Sequence, residues 1–224
     1  MRIVICCLLG YLLGTINFAY IFGKLYGFDI RSRGSGNAGA TNVTMIIGKS
    51  AGVLCAALDI FKSYTAYKLA RLLFPALAFA GVLAGCCSVL GHIFPAWMHF
   101  SGGKGVACIG GMILAHDARL FLIFLITEIL LTLVTQYICV MPLSLCILFP
   151  AVYAWQTGDV TGTLILLTLV PVIVYKHLPN IRRILAGKEM RVSWLWNPDR
   201  EESRIQKNFT EEEWSQLSRK VKHK

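Results

Sequence analysis

Leu120–Trp155 reads LFLIFLITEILLTLVTQYICVMPLSLCILFPAVYAW, with a single ionisable carboxylate, Glu128. A helix that crosses a bilayer needs about 20 apolar residues. The stretch therefore fits two crossings, with a break near Thr135–Tyr137. Backbone polar groups find no water in hydrocarbon, so each crossing must be helical to satisfy its own N–H and C=O groups. A soluble domain of 224 residues would not need the uncharged stretches Leu120–Thr127 and Ile129–Gly158. The rest of the chain agrees, being 56% hydrophobic with a mean hydropathy of +0.62.

Working outward, further apolar runs predict an all-α polytopic integral membrane protein of about seven spans with a polar C-terminal tail. The spans fall near 3–23, 50–74, 76–97, 104–115, 119–136, 138–155 and 160–177. The fourth is short for a full crossing and is either tilted or shielded by its neighbours. The first, Ile3–Phe22 after Met1-Arg2, resembles a secretory leader, but it is long and lacks a small-x-small cleavage site before Lys24. A retained span is expected. The predicted organisation is a membrane-embedded domain over 1–190 and a cytoplasmic charged tail over 191–224.

Three polar stretches interrupt the apolar pattern: Arg31–Asn42, Gly91–Gly105 and His177–Glu189. The first follows span one and the second follows span three, so both lie on one face. The third reaches that face only if the short fourth segment crosses. Seven crossings unite all three, whereas six separate the last. Charge supports seven, because Lys24, Arg31, Arg33, Lys49, Lys104, Lys176, Arg182, Arg183, Lys188 and Arg191 then share the cytoplasmic side. Arg2, Lys68, Arg71 and Arg119 fall at or towards the outside. The expected topology is N-terminus out and C-terminus in.

The eight cysteines form no C-x-x-C and sit mostly inside apolar runs, so they read as small packing residues. Formal charge is +10, yet Asp199–Lys224 carries both signs in blocks, including Glu211–Glu213 and a terminal RKVKHK. That pattern suits a solvated, part-helical tail whose basic end meets anionic lipid headgroups. No nucleic-acid-binding motif accompanies the charge.

In GSGNAGATN, Gly34, Gly36 and Gly39 let the backbone turn tightly, and Ser35, Asn37, Thr41 and Asn42 add neutral donors. Such a loop is either a polar turn or a nest of N–H groups for an anion. Flanking Arg31 and Arg33 favour the anion. Gly102-Gly103-Lys104-Gly105 precedes a helix start, which suits either a hinge or a phosphate site. It is not a Walker loop, since Met98 and Gly105 stand where Gly and Ser or Thr are required.

In the third stretch, Ile181, Ile184 and Leu185 suggest an interfacial helix after span seven. His177 and Asn180, three apart, would share one of its faces, with His177 a hydrogen-bonded cap or a base. Asp59 and Lys62 have the same spacing within span two, as a structural tether or a functional pair. H-x-x-x-x-D and H-E-x-x-H patterns do not occur.

Three segments, GSGNAGATN, GHIFP…F-x-GGKGVA and H-x-x-NI-x-R…G-x-E, resemble in order the signature stretches of the bacterial acyl-phosphate:glycerol-3-phosphate acyltransferases, the PlsY family. The resemblance covers about residues 1–190. It implies a seven-span enzyme of the bacterial inner membrane, with its active site at the cytoplasmic face. The enzyme would move an acyl group from acyl phosphate to the 1-hydroxyl of glycerol 3-phosphate.

By matching positions, Ser35, Lys104 and His177 would be catalytic. Gly34, Gly36, Asn37, Thr41, Asn42, Gly102, Gly103, Asn180 and Arg183 would bind substrate. No cofactor and no metal is expected. Expected partners are the two substrates, membrane lipid and other phospholipid-synthesis enzymes. Met45, Ser101 and Leu178 stand where the family usually carries cations, and Arg31, Lys49 or Arg182 are candidates to replace them. A small-anion transporter, or a catalytically weak relative acting as a scaffold, would use the same loops.

Overall fold

The computed structural model describes residues 1–211. They form α1 (Arg2–Thr15), α2 (Phe18–Leu25), α3 (Ala40–Ile46), α4 (Lys49–Leu73), α5 (Ala80–Ile93), α6 (Val106–His116), α7 (Ala118–Thr135), α8 (Val140–Thr157), α9 (Val160–Leu167), α10 (Leu169–Leu185) and α11 (Pro198–Gln206). No strand occurs among the described residues. Five helical segments are long and apolar enough to cross a membrane: 2–25, 80–98, 118–135, 140–157 and 160–185.

Two further passes complete seven. The short α6 packs among buried neighbours, with Cys108, Ile109, Met112, Ile113 and Ala115 inside. The 25-residue α4 spans about 37 Å at the usual helical rise. Its charged pair is buried: Asp59 Oδ1 lies 2.7 Å from Lys62 Nζ. Glu128, the carboxylate of the opening stretch, is also buried and accepts from Ser144 Oγ at 2.6 Å.

Small residues let the helices approach closely. A Cβ on Gly10 or Gly14 of α1 would stand 2.1 Å from the Ala84 or Ser88 carbonyl oxygen of α5. The main core lies between α5, α6, α8 and the last pass, around Ile109, Met112, Phe149, Leu166 and Ile173. Hydrogen bonds fix the two ends of the bundle. At one end His116 of α6 meets Tyr67 of α4 and Gln156 of α8. At the other, Val192 N–H, beyond α10, donates to the Gln136 carbonyl in the α7–α8 turn. This pairing of ends is the parity that seven passes require.

Two expected boundaries change. The first span is not continuous: α1 stops before Ile16, and Asn17 caps α2 by accepting from Tyr20 N–H at 2.8 Å. The freed carbonyls are satisfied from elsewhere, Ile16 O by Lys62 Nζ at 2.5 Å and Thr15 O by Trp97 Nε1 at 3.0 Å. Conversely, the interfacial helix expected around Ile181–Leu185 is not separate from span seven. α10 runs through His177 to Leu185 with Pro179 inside it. The terminal RKVKHK lies outside the described residues. α11, the helical part of the expected tail, does not stand free, because Glu201 and Ile205 are buried.

Candidate active site

The first polar stretch starts from a charge-braced turn. Asp29 accepts from Arg31 N–H and pairs with its guanidinium at 2.7 Å. The Arg31 hydrogen bond holds the Asp29 carboxyl below the usual carboxylate range. Arg31 also donates to the Met98 carbonyl at 3.0 Å, tying the first stretch to the second. It is therefore a brace already engaged by an anion. Gly34 (φ +56°) and Gly36 (φ +71°) take left-handed conformations that side chains disfavour.

Asn42 is fully buried beneath this loop. Its Oδ1 accepts from Ser35 N–H at 2.9 Å, and its Nδ2 donates to the Ile30 and Arg33 carbonyls at 2.9 and 3.1 Å. Both ends of its amide go to shaping the loop. Ser35, Gly36 and Thr41 remain exposed on the outer side, with Asn37 half-buried between them.

The second stretch starts α6 as expected, with Gly105 (φ +85°) at its N-cap. Its glycines serve differently from the sequence reading. Gly102 and Gly103 N–H groups donate to the Ile93 and His92 carbonyls, both at 3.1 Å. A Cβ on Gly103 would lie 2.1 Å from His92 Nε2 and 2.7 Å from the Ala38 carbonyl oxygen. These two glycines are there for close backbone approach. Lys104 is the group of this stretch that reaches out, donating to Asn180 Oδ1 on α10. Burial, then the Arg183 guanidinium, pushes the Lys104 amine down to about 8, against the opposing pull of the Glu189 carboxylate.

The third stretch presents His177, Asn180 and Arg183 three residues apart along α10, the first two buried. His177 Nδ1 lies 2.8 Å from the Ile173 carbonyl. A carbonyl only accepts, so Nδ1 carries the proton and Nε2 of the neutral ring is a lone-pair base. After α10 the chain turns at Gly187 (φ +67°) and returns Glu189 to the same face. Glu189 accepts from Asn180 Nδ2 and from Arg183 Nε, each at 2.6 Å. The sequence reading had not placed Glu189 in the site. Its available signal is the G-x-E that closes the third segment, together with its being the lone acid in the basic run RRILAGKE.

Behind Gly103 lies a buried ionic cluster. Lys62 Nζ contacts Asp59 and sits 3.0 Å from His92 Nδ1, which is itself 3.4 Å from Asp59 Oδ1. The ligating atoms of Asp59, His92 and Cys108 lie within 4.8 Å of one another, a spacing open to a metal ion. The Lys62 ammonium, inside this group, already supplies the positive charge that the carboxylate needs. His92 was another residue the sequence left unassigned.

All three stretches thus meet at one end of the bundle. Ala38 and Arg31 join the first to the second, and the Lys104–Asn180 bond joins the second to the third. Residues 4–187 match the family model described as glycerol-3-phosphate acyltransferase. The chain belongs to that family.

Glycerol-3-phosphate acyltransferases of Geobacillus kaustophilus and Bacillus subtilis are each 36% identical to it. They are matched over 189 and 197 residues, covering 84% and 87% of this chain and 94% and 100% of theirs. Among solved structures, the glycerol 3-phosphate form of PlsY (YgiH), an integral membrane glycerol 3-phosphate acyltransferase, is 32% identical with a TM-score of 0.79. The match covers 87% of this chain and 98% of that one. Its lysophosphatidic acid form gives 0.75, covering 85% and 95%. Against the family pattern of cations, Met45 and Leu178 are half-buried here and Ser101 is exposed. Of the candidate replacements, Arg31 is occupied by Asp29, while Lys49 and Arg182 are exposed.

Proposed function

We propose that this protein transfers a fatty acyl group from acyl phosphate to the 1-hydroxyl of glycerol 3-phosphate, releasing phosphate and lysophosphatidate. The observation that carries the reading is the Lys104–Asn180 contact, next to Gly103, which packs closely on the Ala38 carbonyl of the first stretch. It gathers a cation, amide donors and a histidine base at one end of a membrane bundle. Both substrates are anions, and fixed donors in a partly dry site offset their repulsion.

Acyl phosphate is a mixed anhydride with a good leaving group, so the acceptor oxygen attacks the acyl carbon directly and the C–O bond to phosphate breaks. The hydroxyl proton goes to His177 Nε2 or to a substrate phosphate oxygen, whose second pKa is about 6. Ser35 and Thr41 line the exposed side of the first loop, Lys104 faces substrate phosphate, and Arg183 with Glu189 sets the Asn180 amide. The positive-inside bias supports a cytoplasmic site, and the family resemblance supports the bacterial inner membrane as its location.

The lack of H-x-x-x-x-D supports acyl phosphate over acyl thioesters as donor. The test is purified protein given labelled glycerol 3-phosphate with acyl phosphate, acyl-CoA or acylated carrier protein. Lysophosphatidate should form with acyl phosphate alone. Efficient transfer from acyl-CoA, with acyl phosphate inert, would overturn the donor assignment. Flux of anion across vesicles without covalent product would indicate a transporter.

A further inference from the structure

Residues 191–211 lie beyond the family match, which ends at residue 187. They nevertheless fold back onto the site. Val192 N–H donates to the Gln136 carbonyl at 2.8 Å, and the Lys188 ammonium lies 4.6 Å over the Phe209 ring. Arg204 of α11 occupies the centre of this strap. Its Nη1 donates to the Gly187 carbonyl at 3.1 Å and its Nη2 to the Glu189 carbonyl at 2.6 Å. Glu201, nearly inaccessible to solvent, holds the guanidinium at 2.6 Å and also accepts from Arg191 N–H at 2.7 Å. Asn208 Nδ2 adds a second bond to Gly187 O at 3.1 Å.

The carbonyls at a helix end lack intrahelical partners. Here the Arg182, Arg183 and Ile184 carbonyls are taken by N–H groups of the turn. One planar, forked cation spans the Gly187 and Glu189 carbonyls just beyond α10, in the geometry for which arginine is suited and lysine is not. The turn so fixed is the one that returns Glu189 to Asn180 and Arg183. We propose that Arg204, locked by Glu201, is a positioning residue for the active site. It holds the Gly187–Glu189 turn so that the Glu189 carboxylate orients the Asn180 amide, which in turn receives the Lys104 ammonium. Four hydrogen bonds make the path, from Glu201 to Arg204, from Arg204 to the Glu189 carbonyl, from the Glu189 carboxylate to Asn180, and from Asn180 to Lys104. The catalytic consequence rests on the reading that Lys104 holds substrate phosphate.

The charged and titratable groups that face Lys104 are Arg183, Lys176 and His177 of α10, Glu189 of the turn and Cys139 before α8. Among them Glu189 favours the ammonium. Loosening the turn moves that carboxylate away, so Lys104 loses its proton at lower pH. The alkaline limb of kcat/KM then moves down in pH.

The experiment uses the full chain in detergent, with Arg204→Met, Arg204→Lys, Glu201→Gln and, as a control on exposed α11 surface, Ser203→Ala. Arg204→Met should raise the KM for glycerol 3-phosphate about tenfold, the scale of one charge-assisted hydrogen bond. The change in kcat should be smaller, and the alkaline limb should shift downward. Arg204→Lys should recover part of the loss, and Ser203→Ala should match wild type.

Hydrogen exchange supplies a readout without turnover. Lys188 and Glu189 N–H groups both donate to the Arg183 carbonyl, at 2.7 and 3.1 Å, and both should exchange faster in Arg204→Met. Wild-type KM, limb and exchange in that variant overturn the proposal. A fall in kcat that only tracks the amount of folded enzyme, with the limb unmoved, also overturns it. If Arg204→Met does not accumulate, Glu201→Gln carries the same expectations and the same refutation. If wild-type protein forms no lysophosphatidate, the functional reading fails, and exchange at Lys188 and Glu189 still decides whether Arg204 fixes the turn.

Discussion

Replacing Lys104 by methionine removes the ammonium while keeping an unbranched apolar stem of similar reach. In the structure this amine donates to the neutral Asn180 oxygen, whereas Arg31 and Arg183 are each paired with a carboxylate. A bound phosphate therefore meets, at Lys104, positive charge that no direct carboxylate partner has neutralised. Loss of one preorganised donor from a partly water-excluded site removes about 2.7–4 kcal/mol of transition-state stabilisation. The charge of Lys104 argues for the upper half of that range, so kcat/KM should fall by nearly three orders of magnitude.

The same structure sets a pH dependence. With its amine held down to about 8, Lys104 is an ammonium below that pH and is lost as a cation above it. Wild-type kcat/KM for glycerol 3-phosphate should fall by about tenfold per pH unit on the alkaline side. Lys104→Arg should be slower but should lack that limb, because the guanidinium stays charged. The assay follows labelled glycerol 3-phosphate into lipid across pH, with thermal unfolding in detergent as the check on folding. A Lys104→Met enzyme within a few-fold of wild type, or a wild-type profile flat well above pH 8, would refute the placing of Lys104 on phosphate.

Three further outcomes are expected. Gly103→Ala puts a Cβ 2.1 Å from His92 Nε2 and 2.7 Å from the Ala38 carbonyl oxygen. It should cost about 1–3 kcal/mol or more by overpacking, and an unchanged melting temperature with full activity would contradict the close approach. Met45→Arg should lower the KM for glycerol 3-phosphate more than it alters kcat. Abolished activity would instead mean that the pocket is built around methionine. Single cysteines at 35, 101 and 188, in a chain with its own eight replaced, should resist membrane-impermeant thiol reagents in intact cells and react once the membrane is opened. Labelling of position 188 alone from outside would break the shared-face arrangement.

Much of this was legible in the sequence because lipid imposes strict rules. The uncharged run from Ile129 to Gly158 could only be helical, and parity brought the three polar stretches to one end. The spacing of His177 and Asn180 placed them on one face of α10, and the same rule found the Asp59–Lys62 pair. What stayed hidden depended on partners distant in the chain. The break at Ile16–Asn17 is tolerated because Lys62 and Trp97, far along the sequence, take its carbonyls. Gly102 and Gly103 looked like phosphate-facing amides, yet those N–H groups close the chain back on His92 and Ile93. Glu189 and Arg204 gain meaning only when the chain reverses at Gly187. No periodicity within either segment announces that reversal.

The central claim is that the first, second and third stretches form one site for glycerol 3-phosphate, with Lys104 on its phosphate. A structure of the purified protein with glycerol 3-phosphate bound tests this most directly. The phosphate should lie within hydrogen-bond distance of Lys104 Nζ, between the Ser35 loop and Asn180, with the 1-hydroxyl open to an incoming acyl carbon. A well-ordered ligand away from Lys104, or on the opposite end of the bundle near His116 and Gln156, would contradict it.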